Sequence, residues 1–441
     1  MNLAEDARAM LGNVQVNEER PRKIGRLAAY DGLMLEATGF DRPVGSGARV
    51  ITADGRAARA EVVGFRGQRT LLMALDGDAA HANGARVEPD AAGGSAGVGM
   101  ALLGRVIDAM GEPLDGLGNI ATAERWPLAG RPGNPLDSAR VMEPFDIGVR
   151  AVNALLTAGV GQRIAIVAGS GVGKSVLMGQ MIAGAEADVV VVGLIGERSR
   201  EVSDFLATKL SGAVRAKSVV VAVPADHAPL LRLRAAMRAT AIAEYFRSRG
   251  LRVLLLLDSL TRVAHAQREI GLSLGEPPTV KGYPPSALGL IPRLVERAGA
   301  DSRTGGSITA LYTVLADGDD TDDPIVDAAR AIVDGHILLS RSIAEQGVYP
   351  AIDVGRSLSR VMADIVSPEH AAGALGLRRL WSAFEENRDL ILMGAYSPGT
   401  DAVIDEAILR RPEILAFLKQ GASERIDYGT SVAALIGAYG A

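Results

Sequence analysis

The sequence predicts an α/β protein with a central domain built on a parallel sheet, a small β-barrel before it and a helical domain after it. Apolar stretches of strand length alternate with amphipathic helical stretches between residues 98 and 370. Short strand-like segments separated by turn signals fill residues 21–92. Residues 371–441 have helical patterns without a strong strand, and residues 1–20 stand apart from these three domains.

The composition is that of a globular protein and excludes several functional classes. The 441 residues are enough for two or three domains, and 48% of them are hydrophobic. The net charge of −5 argues against a broad nucleic-acid surface, and the absence of cysteine excludes disulfides and thiol catalysis. The five histidines lie too far apart to indicate a metal site. The N-terminus lacks a signal-peptide core, and no apolar run approaches the roughly 18 residues of a membrane span, so we expect a cytoplasmic protein.

Residues 1–20 have the pattern of one short helix. Its apolar face is formed by Leu3, Ala7, Met10 and Leu11. A helix of this length is marginally stable alone. Two interpretations remain open, namely a frayed terminus and a segment that docks onto a partner protein.

Residues 21–92 predict a small β-barrel. Two short strands about a turn are expected in residues 25–37, and further strands in residues 48–52, 60–65 and 70–75. Asp-Gly pairs at residues 54–55 and 76–77 supply turns. The Gly- and Ala-rich residues 91–97 have the composition of a linker.

The central domain is predicted to contain a parallel sheet covered on both faces. The expected strands are residues 164–167, 189–195, 218–223, 253–257, 307–314 and 335–339. A helix over residues 228–249 carries one apolar stripe and ends at Gly250. Its arginines predict a solvated face rather than a nucleic-acid groove; they are Arg232, Arg234, Arg238, Arg247 and Arg249.

The C-terminal residues predict three helices. These helices are expected over residues 377–384, 402–411 and 413–419. A break between the last two is predicted at Arg411-Pro412, because proline lacks the backbone N–H that a helix interior requires.

A glycine-rich segment, residues 168–175 (AGSGVGKS), follows the apolar residues 163–167 and precedes a helical pattern. This order predicts a loop that binds the phosphates of a nucleoside triphosphate. The glycines allow backbone N–H groups to surround the β-phosphate, and the helix N-terminus adds partial positive charge. Lys174 is expected to reach the β- and γ-phosphates, and Ser175 to bind Mg²⁺. The predicted binding residues are Gly169, Ser170, Gly171, Val172, Gly173, Lys174, Ser175 and Val176.

Hydrolysis also requires a carboxylate for the metal, a group that orients water, and positive charge for the transition state. Asp258 ends the apolar residues 254–257 and is predicted to hold Mg²⁺ through water. Glu197 follows the strand at residues 189–195 and is predicted to polarise the attacking water. A helix-capping role is the alternative for Glu197. Arg198 is placed to contact the γ-phosphate.

Several further motifs accompany the phosphate loop. They are residues 196–201 (GERSRE), 254–258 (LLLLD), 275–286 (GEPPTVKGYPPS), 312–320 (YTVLADGDD), 334–341 (DGHILLSR) and 349–360 (YPAIDVGRSLSR). Together they resemble the motifs of the rotary F- and V-type ATPase α/β-subunit superfamily. More narrowly, they resemble the type III protein-export ATPases of bacterial flagella and injectisomes. The resemblance covers nearly the whole chain.

The resemblance implies a RecA-like core that binds ATP and Mg²⁺, between an N-terminal β-barrel and a helical C-terminal domain. It implies that Lys174 and Glu197 are catalytic and that Arg198 contacts the γ-phosphate. Tyr349 is similar to the tyrosine that stacks on adenine, and Arg262 matches a further active-site arginine.

The resemblance also implies a homohexamer with shared sites. Arg360 resembles the arginine finger donated across the subunit interface, a group worth about 10³–10⁵ in turnover. Because one chain carries both Glu197 and Arg360, it can build six equivalent sites by cyclic association. A second arginine, Arg356, departs from the pattern and could share the finger role.

The implied function is ATP hydrolysis that energises type III protein export, and the overall likeness favours flagellar use. The implied partners are a stator-like protein at the N-terminus, a coiled-coil stalk against residues 271–286, export chaperone–substrate complexes and a membrane export gate. Inner-membrane association would be peripheral, through these partners. One alternative is the catalytic subunit of a rotary ATPase. An RNA-translocating hexamer is another, but nucleic acid is not expected because residues 21–92 offer few aromatic residues for base stacking. A non-catalytic scaffold is disfavoured by Glu197.

Overall fold

The computed structural model of the chain describes residues 24–76, 79–90, 93–131, 133–316 and 323–440. The chain divides into two compact units at Gly94 and Ser95. The docking segment expected over residues 1–20 lies outside the described residues. Within the described ranges, no helix combines the length and apolar character needed to cross a bilayer.

The first unit contains a closed six-stranded antiparallel barrel, which confirms the predicted barrel. Alternate side chains along its strands point inward, and Leu35, Val50, Val62 and Leu72 are fully buried. The strand that closes the barrel, over residues 86–90, was not predicted, because Pro89 and three charged residues interrupt its apolar pattern. The strands are β1 (Gly25–Tyr30), β2 (Met34–Thr38), β3 (Gly47–Ile51), β4 (Ala57–Arg66), β5 (Arg69–Ala74) and β6 (Arg86–Asp90).

The second unit is built on a mostly parallel sheet, as predicted for the central domain. The strands of this unit are β7 (Ser95–Val98), β8 (Val106–Ile107), β9 (Glu124–Pro127), β10 (Ser138–Ala139), β11 (Arg163–Ala168), β12 (Val189–Ile195), β13 (Ser218–Val223), β14 (Arg252–Asp258), β15 (Gly299–Asp301), β16 (Ser307–Leu315), β17 (Gly335–Leu339) and β18 (Leu358–Ser359). The order in the sheet is β18-β17-β11-β16-β14-β12-β13-β8, and the edge strand β18 runs antiparallel to β17. The strands β12, β13 and β17 have the bounds expected from the sequence.

Helices cover both faces of this sheet and continue into the C-terminal region. The helices that the described residues form are α1 (Arg150–Leu155), α2 (Lys174–Gly184), α3 (Ser199–Lys209), α4 (Gly212–Ala216), α5 (Pro229–Ser248), α6 (Leu260–Ser273), α7 (Pro285–Val295), α8 (Pro324–Ile332), α9 (Arg341–Glu345), α10 (Met362–Ile365), α11 (Pro368–Glu386), α12 (Arg388–Leu392), α13 (Ala402–Leu418) and α14 (Tyr428–Tyr439). Short 3₁₀ turns occur at Met100–Leu102, Pro135–Asp137 and Val280–Gly282.

The expected linker over residues 91–97 is partly wrong. Ser95–Val98 form β7, which pairs antiparallel with β9 inside the second unit. Small residues predicted flexibility, but here they allow close strand contact: a Cβ on Gly97 would lie 2.3 Å from Thr122 Oγ1.

The solvated arginine face expected on α5 is wrong for three of its five arginines, whereas Arg249 is exposed as expected. Arg232, Arg234 and Arg238 are buried, with exposures of 9%, 3% and 3%. Arg232 pairs with Glu269 at 2.8 Å, and Arg238 Nε donates to the Ala109 carbonyl at 2.8 Å. Periodicity locates the stripe that faces the sheet, but it does not reveal that a second layer covers the opposite side of the helix.

The helix break predicted at Arg411-Pro412 does not occur. Residues 402–418 form the single helix α13, with Pro412 inside it on an exposed position. Packing keeps the helix intact, because Arg411 lies 4.2 Å above the ring of Trp381 and pairs with Glu385 at 2.6 Å. The last helix, α14, was not predicted from the sequence.

Candidate active site

The glycine-rich residues 169–173 connect the fully buried carboxyl end of β11 to the first turn of α2. Gly171 and Gly173 have φ values of +79° and +89°, in the left-handed region where a Cβ is disfavoured. The backbone therefore curls over the N-terminus of α2, where unpaired N–H groups and the helix dipole favour an anion. The structure gives the predicted phosphate-binding residues the strand, loop and helix context that such a site requires.

Lys174 lies between the two carboxylates that the sequence singled out. Its Nζ donates to Asp258 Oδ1 at 2.6 Å and lies 3.4 Å from Glu197 Oε1. Asp258 ends β14, and Glu197 follows the neighbouring strand β12, so both emerge at the edge of the sheet where β11 meets the loop. These residues and Ser175 line a cleft of about 230 Å³. Residues distant in the sequence thus meet at one edge.

Burial and mutual charge set the protonation of this group. Burial raises the pKa of Glu197 above its ordinary value; the positive charge of Lys174 opposes this shift, and the negative charge of Asp258 adds to it. Burial lowers the pKa of Lys174, but the carboxylates of Asp258 and Glu197 outweigh burial and raise it. Lys174 is therefore charged at neutral pH and holds two carboxylates together when no nucleotide is present.

Thr313 supports Asp258 and was given no role from the sequence. Its buried hydroxyl donates to Asp258 Oδ1 at 2.6 Å. Thr313 lies on β16, the strand between β11 and β14, so it is next to both the strand that leads into the loop and the carboxylate of Asp258. The signal that could have identified it is a polar residue near the carboxyl end of a buried strand, the end at which Asp258 also lies.

Arg262 lies against the turn that precedes Glu197. Gly196 has a φ of +72°, and a Cβ there would approach Arg262 Cβ to 2.9 Å. The buried Arg262 Nε has no hydrogen-bond partner among the described residues. Arg198, in contrast, is 86% exposed and lies 3.6 Å from Glu201, outside the Lys174 group. Its contact with the γ-phosphate remains a prediction.

Tyr349 packs on the phosphate loop. A Cβ on Gly173 would lie 3.4 Å from its ring, and 45% of Tyr349 is exposed. The Tyr349 carbonyl accepts the backbone N–H of Gln420, which follows α13. An exposed aromatic face beside the loop is suited to the base stacking that the resemblance implies, which remains a prediction.

The two candidate fingers lie at opposite ends of the sheet. Arg356 lines a second cavity of about 170 Å³ with Gly169 and Arg341, on the phosphate-loop side. Arg360 follows β18, and its backbone N–H donates to the Asp334 carbonyl at 2.8 Å, beside the amino end of β11. Only Arg356 therefore lies near the loop of its own chain.

The residues present fit a magnesium ion bound together with a nucleotide. Within the described ranges, no three acidic or histidine side chains form a metal-binding cluster. Mg²⁺ needs no such cluster beside a nucleotide, because it usually keeps waters and phosphate oxygens and takes one or two protein groups. Ser175 and Asp258 line the same cleft and supply a hydroxyl and a carboxylate.

The parallel sheet, the glycine loop and the lysine between two carboxylates define a P-loop ATPase. The family model described as "ATP synthase alpha/beta family, nucleotide-binding domain" matches residues 148–359. The model described as "T3SS EscN ATPase C-terminal domain" matches residues 366–437. The chain belongs to the ATP synthase alpha/beta family, within its flagellar and type III secretion ATPase branch.

Similar proteins come from both export systems. The flagellum-specific ATP synthase of Salmonella typhimurium is 52% identical over 94% of this chain and 93% of its own length. The type 3 secretion system ATPase of Xanthomonas euvesicatoria is 46% identical over 92% of each. The assembled ATPase EscN of the enteropathogenic E. coli type III secretion system superposes with a TM-score of 0.88 at 39% identity, covering 95% of this chain and 100% of that one.

Proposed function

We propose that this ATPase works as a homohexameric ring with active sites shared between neighbouring copies, and that it energises protein export during flagellar assembly. The position of Arg360 carries the proposal. The six residues of β11 separate it from the loop of its own chain by about 20 Å at 3.3 Å per residue. An arginine side chain cannot span that distance, so Arg360 serves a nucleotide held by another copy.

Each predicted residue then has a chemical role. Nucleotide phosphates draw Lys174 away from Asp258, which frees that carboxylate. Asp258 and Ser175 would then hold Mg²⁺, which would neutralise charge on the phosphates when bound. Glu197 accepts a hydrogen bond from the attacking water and aligns it with the γ-phosphate, and the neighbour's Arg360 stabilises the charge of the transition state.

The remaining roles extend the same proposal. Tyr349 stacks on the adenine, and Arg262 donates to the phosphates from its buried position. For the exposed Arg198 to reach the γ-phosphate, its side chain must turn inward when nucleotide binds.

The flagellar role rests on similarity to curated relatives. A structure of EscN in complex with its central stalk EscO, with a TM-score of 0.86, supports a stalk partner. We extend this to a coiled-coil stalk that contacts residues 271–286. We further propose a stator-like partner at residues 1–20, with export chaperone–substrate complexes and a membrane export gate as the other partners.

Replacement of Glu197 by Gln tests its role. We expect Glu197→Gln to bind ATP as the unaltered chain does, because the amide keeps the size of the side chain. We expect hydrolysis to fall by about 10²–10⁴-fold, because the amide is a poor acceptor for the water proton. Fluorescent-nucleotide binding and steady-state phosphate release measure the two effects, and unchanged release would remove Glu197 from the mechanism.

Mixing two inactive variants tests the shared site. A ring of Arg360→Ala and Glu197→Gln chains contains interfaces with an intact Glu197 on one side and an intact Arg360 on the other. Turnover should therefore reappear on mixing, although each variant alone is inactive. Mixtures that stay inactive while forming rings would contradict a shared site.

Secretion measurements test the physiological role. In the source bacterium, deletion of the gene should abolish the appearance of flagellar proteins in the medium. The unaltered gene should restore it, and a gene encoding Glu197→Gln should not. Normal secretion by the deletion strain would contradict the flagellar role.

A further inference from the structure

The amino end of β11 holds a buried amide that the proposed chemistry does not use. Gln162 directly precedes β11 and is fully buried. Its Nε2 donates to the Asp334 carbonyl and to Ser359 Oγ, each at 3.1 Å. Its Oε1 accepts the backbone N–H of Gly159 at 2.9 Å. Both polar atoms of the amide are therefore engaged.

Both acceptors of Gln162 belong to residues that adjoin Arg360 in the structure. The Asp334 carbonyl also accepts the backbone N–H of Arg360 at 2.8 Å, and Ser359 is the preceding residue. Ser359 Oγ in turn donates to the Thr157 carbonyl at 3.0 Å. The Gln162 amide thus connects the residue before Arg360 with the carbonyl group that holds the Arg360 backbone.

The strand that precedes Arg360 is short. β18 has two residues, which pair with Gly335 and His336 at the start of β17. The two strands lie close together, because a Cβ on Gly335 would lie 2.6 Å from the Leu358 carbonyl oxygen and 3.1 Å from Gln162 Nε2. Arg378 holds the other side of β18 by donating to the Ser357 carbonyl at 2.8 Å. The Gln162 contacts are the ones that reach the Arg360 end of this short strand.

The strand that carries the phosphate loop also anchors Asp334. Arg163 donates to the Asp334 carboxylate from Nε at 2.9 Å and from its own backbone N–H at 3.0 Å. Arg163 also pairs with Glu296 at 2.8 Å. β11 thus holds the chain's own loop at one end and the finger segment at the other.

We propose that Gln162 is a positioning residue for the arginine finger: its amide fixes β18 on β17 so that Arg360 points at the nucleotide of the neighbouring copy. This inference rests on the proposed shared site. The competing role is structural, in which Gln162 only supports β11 and the loop of its own chain. The two roles differ in which copy's active site fails when Gln162 is replaced.

The variants are chosen to separate these roles. Gln162→Ala should lower turnover of assembled rings by about 10- to 100-fold, because small misplacements of a catalytic group have effects of this size. Its affinity for a fluorescent ATP analogue should stay unchanged. Ser359→Ala removes one of the two acceptors and should give a smaller loss of turnover. It replaces Gln162→Ala in the test if Gln162→Ala does not fold. Gln162→Ala with Arg360→Ala should be no slower than Arg360→Ala alone.

A matched control is available on the loop helix of the chain itself. Gln180 is another buried glutamine, and its Nε2 donates to the Gly421 carbonyl at 2.8 Å from within α2. If Gln180→Ala lowers turnover, the cause is a change in the phosphate-loop helix of the same chain, so the defect lies in that chain's own active site. Mixing it with Glu197→Gln should therefore restore nothing.

The decisive experiment mixes dissociated chains before assembly, each variant with Glu197→Gln. The Glu197→Gln chains supply intact fingers to the intact loops of the variant, so Gln162→Ala should be restored to the level of the Arg360→Ala mixture. Restoration of Arg360→Ala but not of Gln162→Ala would overturn the positioning role and leave the shared site standing. Failure of both mixtures would overturn the shared site itself. Full activity of Gln162→Ala alone would also overturn the inference.

Discussion

At the scale of single residues, the site is a balance of charges around Lys174. Two carboxylates share one ammonium group, and Thr313 fixes the orientation of one of them. In the proposed mechanism, nucleotide phosphates compete with Asp258 for Lys174, and this competition rearranges the site for hydrolysis. The buried carboxylate of Glu197, with its raised pKa, is suited to accept a proton or a hydrogen bond from water.

The raised pKa of Glu197 predicts the acid limb of the pH profile. Its ordinary value is 4.5, and burial shifts the value upward in the folded chain. The ionised form is the hydrogen-bond acceptor, so turnover should fall as the pH decreases through this raised pKa. Phosphate release at saturating ATP and Mg²⁺ between pH 4 and 8 measures the limb, with nucleotide binding at each pH as the control. An acid limb centred at or below 4.5 would contradict the shift.

At the scale of elements, α5 is joined to its neighbours by a buried cluster. The Glu244 carboxylate accepts a hydrogen bond from Trp126 Nε1 on β9 at 2.8 Å and another from Arg297 Nε at 2.8 Å. Arg297 also donates to the Leu128 carbonyl at 2.8 Å. The cluster is fully hydrogen-bonded, and it joins α5 to β9 and to the segment that follows α7.

Replacement of Glu244 should therefore destabilise the second unit. We expect Glu244→Ala to lower the free energy of unfolding by about 3–5 kcal/mol, because Arg297 is left buried without its partner. The matched control is Glu143→Ala, which breaks a half-exposed pair with Arg252 and should cost under about 1 kcal/mol. Urea unfolding of both variants measures the difference, and equal effects would contradict the role of the cluster.

The proline inside α13 allows a prediction of the opposite sign. Pro412 is exposed and cannot donate a backbone hydrogen bond, and this costs a helix interior about 3 kcal/mol relative to alanine. Pro412→Ala should therefore stabilise α13, by about 1–3 kcal/mol after the greater freedom of the unfolded chain is included. Hydrogen exchange of the α13 amides measures the gain, and faster exchange in the variant would contradict it.

At the scale of the whole molecule, the C-terminal helices and the nucleotide site belong to one packed unit. The Gln420 backbone N–H bonds to Tyr349, and the α2 residue Gln180 bonds to the Gly421 carbonyl. Arg150 Nε caps the end of α13 by donating to the Phe417 carbonyl at 2.7 Å. A change at the phosphate loop is thus connected to the C-terminal helices through direct contacts.

A shared active site makes activity depend on assembly. Specific activity should rise with protein concentration and level off once rings are complete, because the Arg360 of a single chain cannot reach the loop of that chain. Turnover per chain, measured together with the mass of the particles across the same dilution series, tests this. A flat specific activity across the transition from single chains to rings would contradict it.

The local sequence determined the fold class and most of the strands, because β-strand patterns and phosphate-loop spacing are short-range properties of the chain. It also identified Lys174, Glu197 and Asp258, since each follows directly on a strand or a loop with a recognisable pattern. Tertiary contacts decided the rest. The burial of Arg238, the continuity of α13 through Pro412 and the support of Asp258 by Thr313 depend on neighbours far away in the sequence. The position of Arg360 at the far end of β11 is likewise a property of the folded sheet, because only strand order and direction determine which residues share an edge.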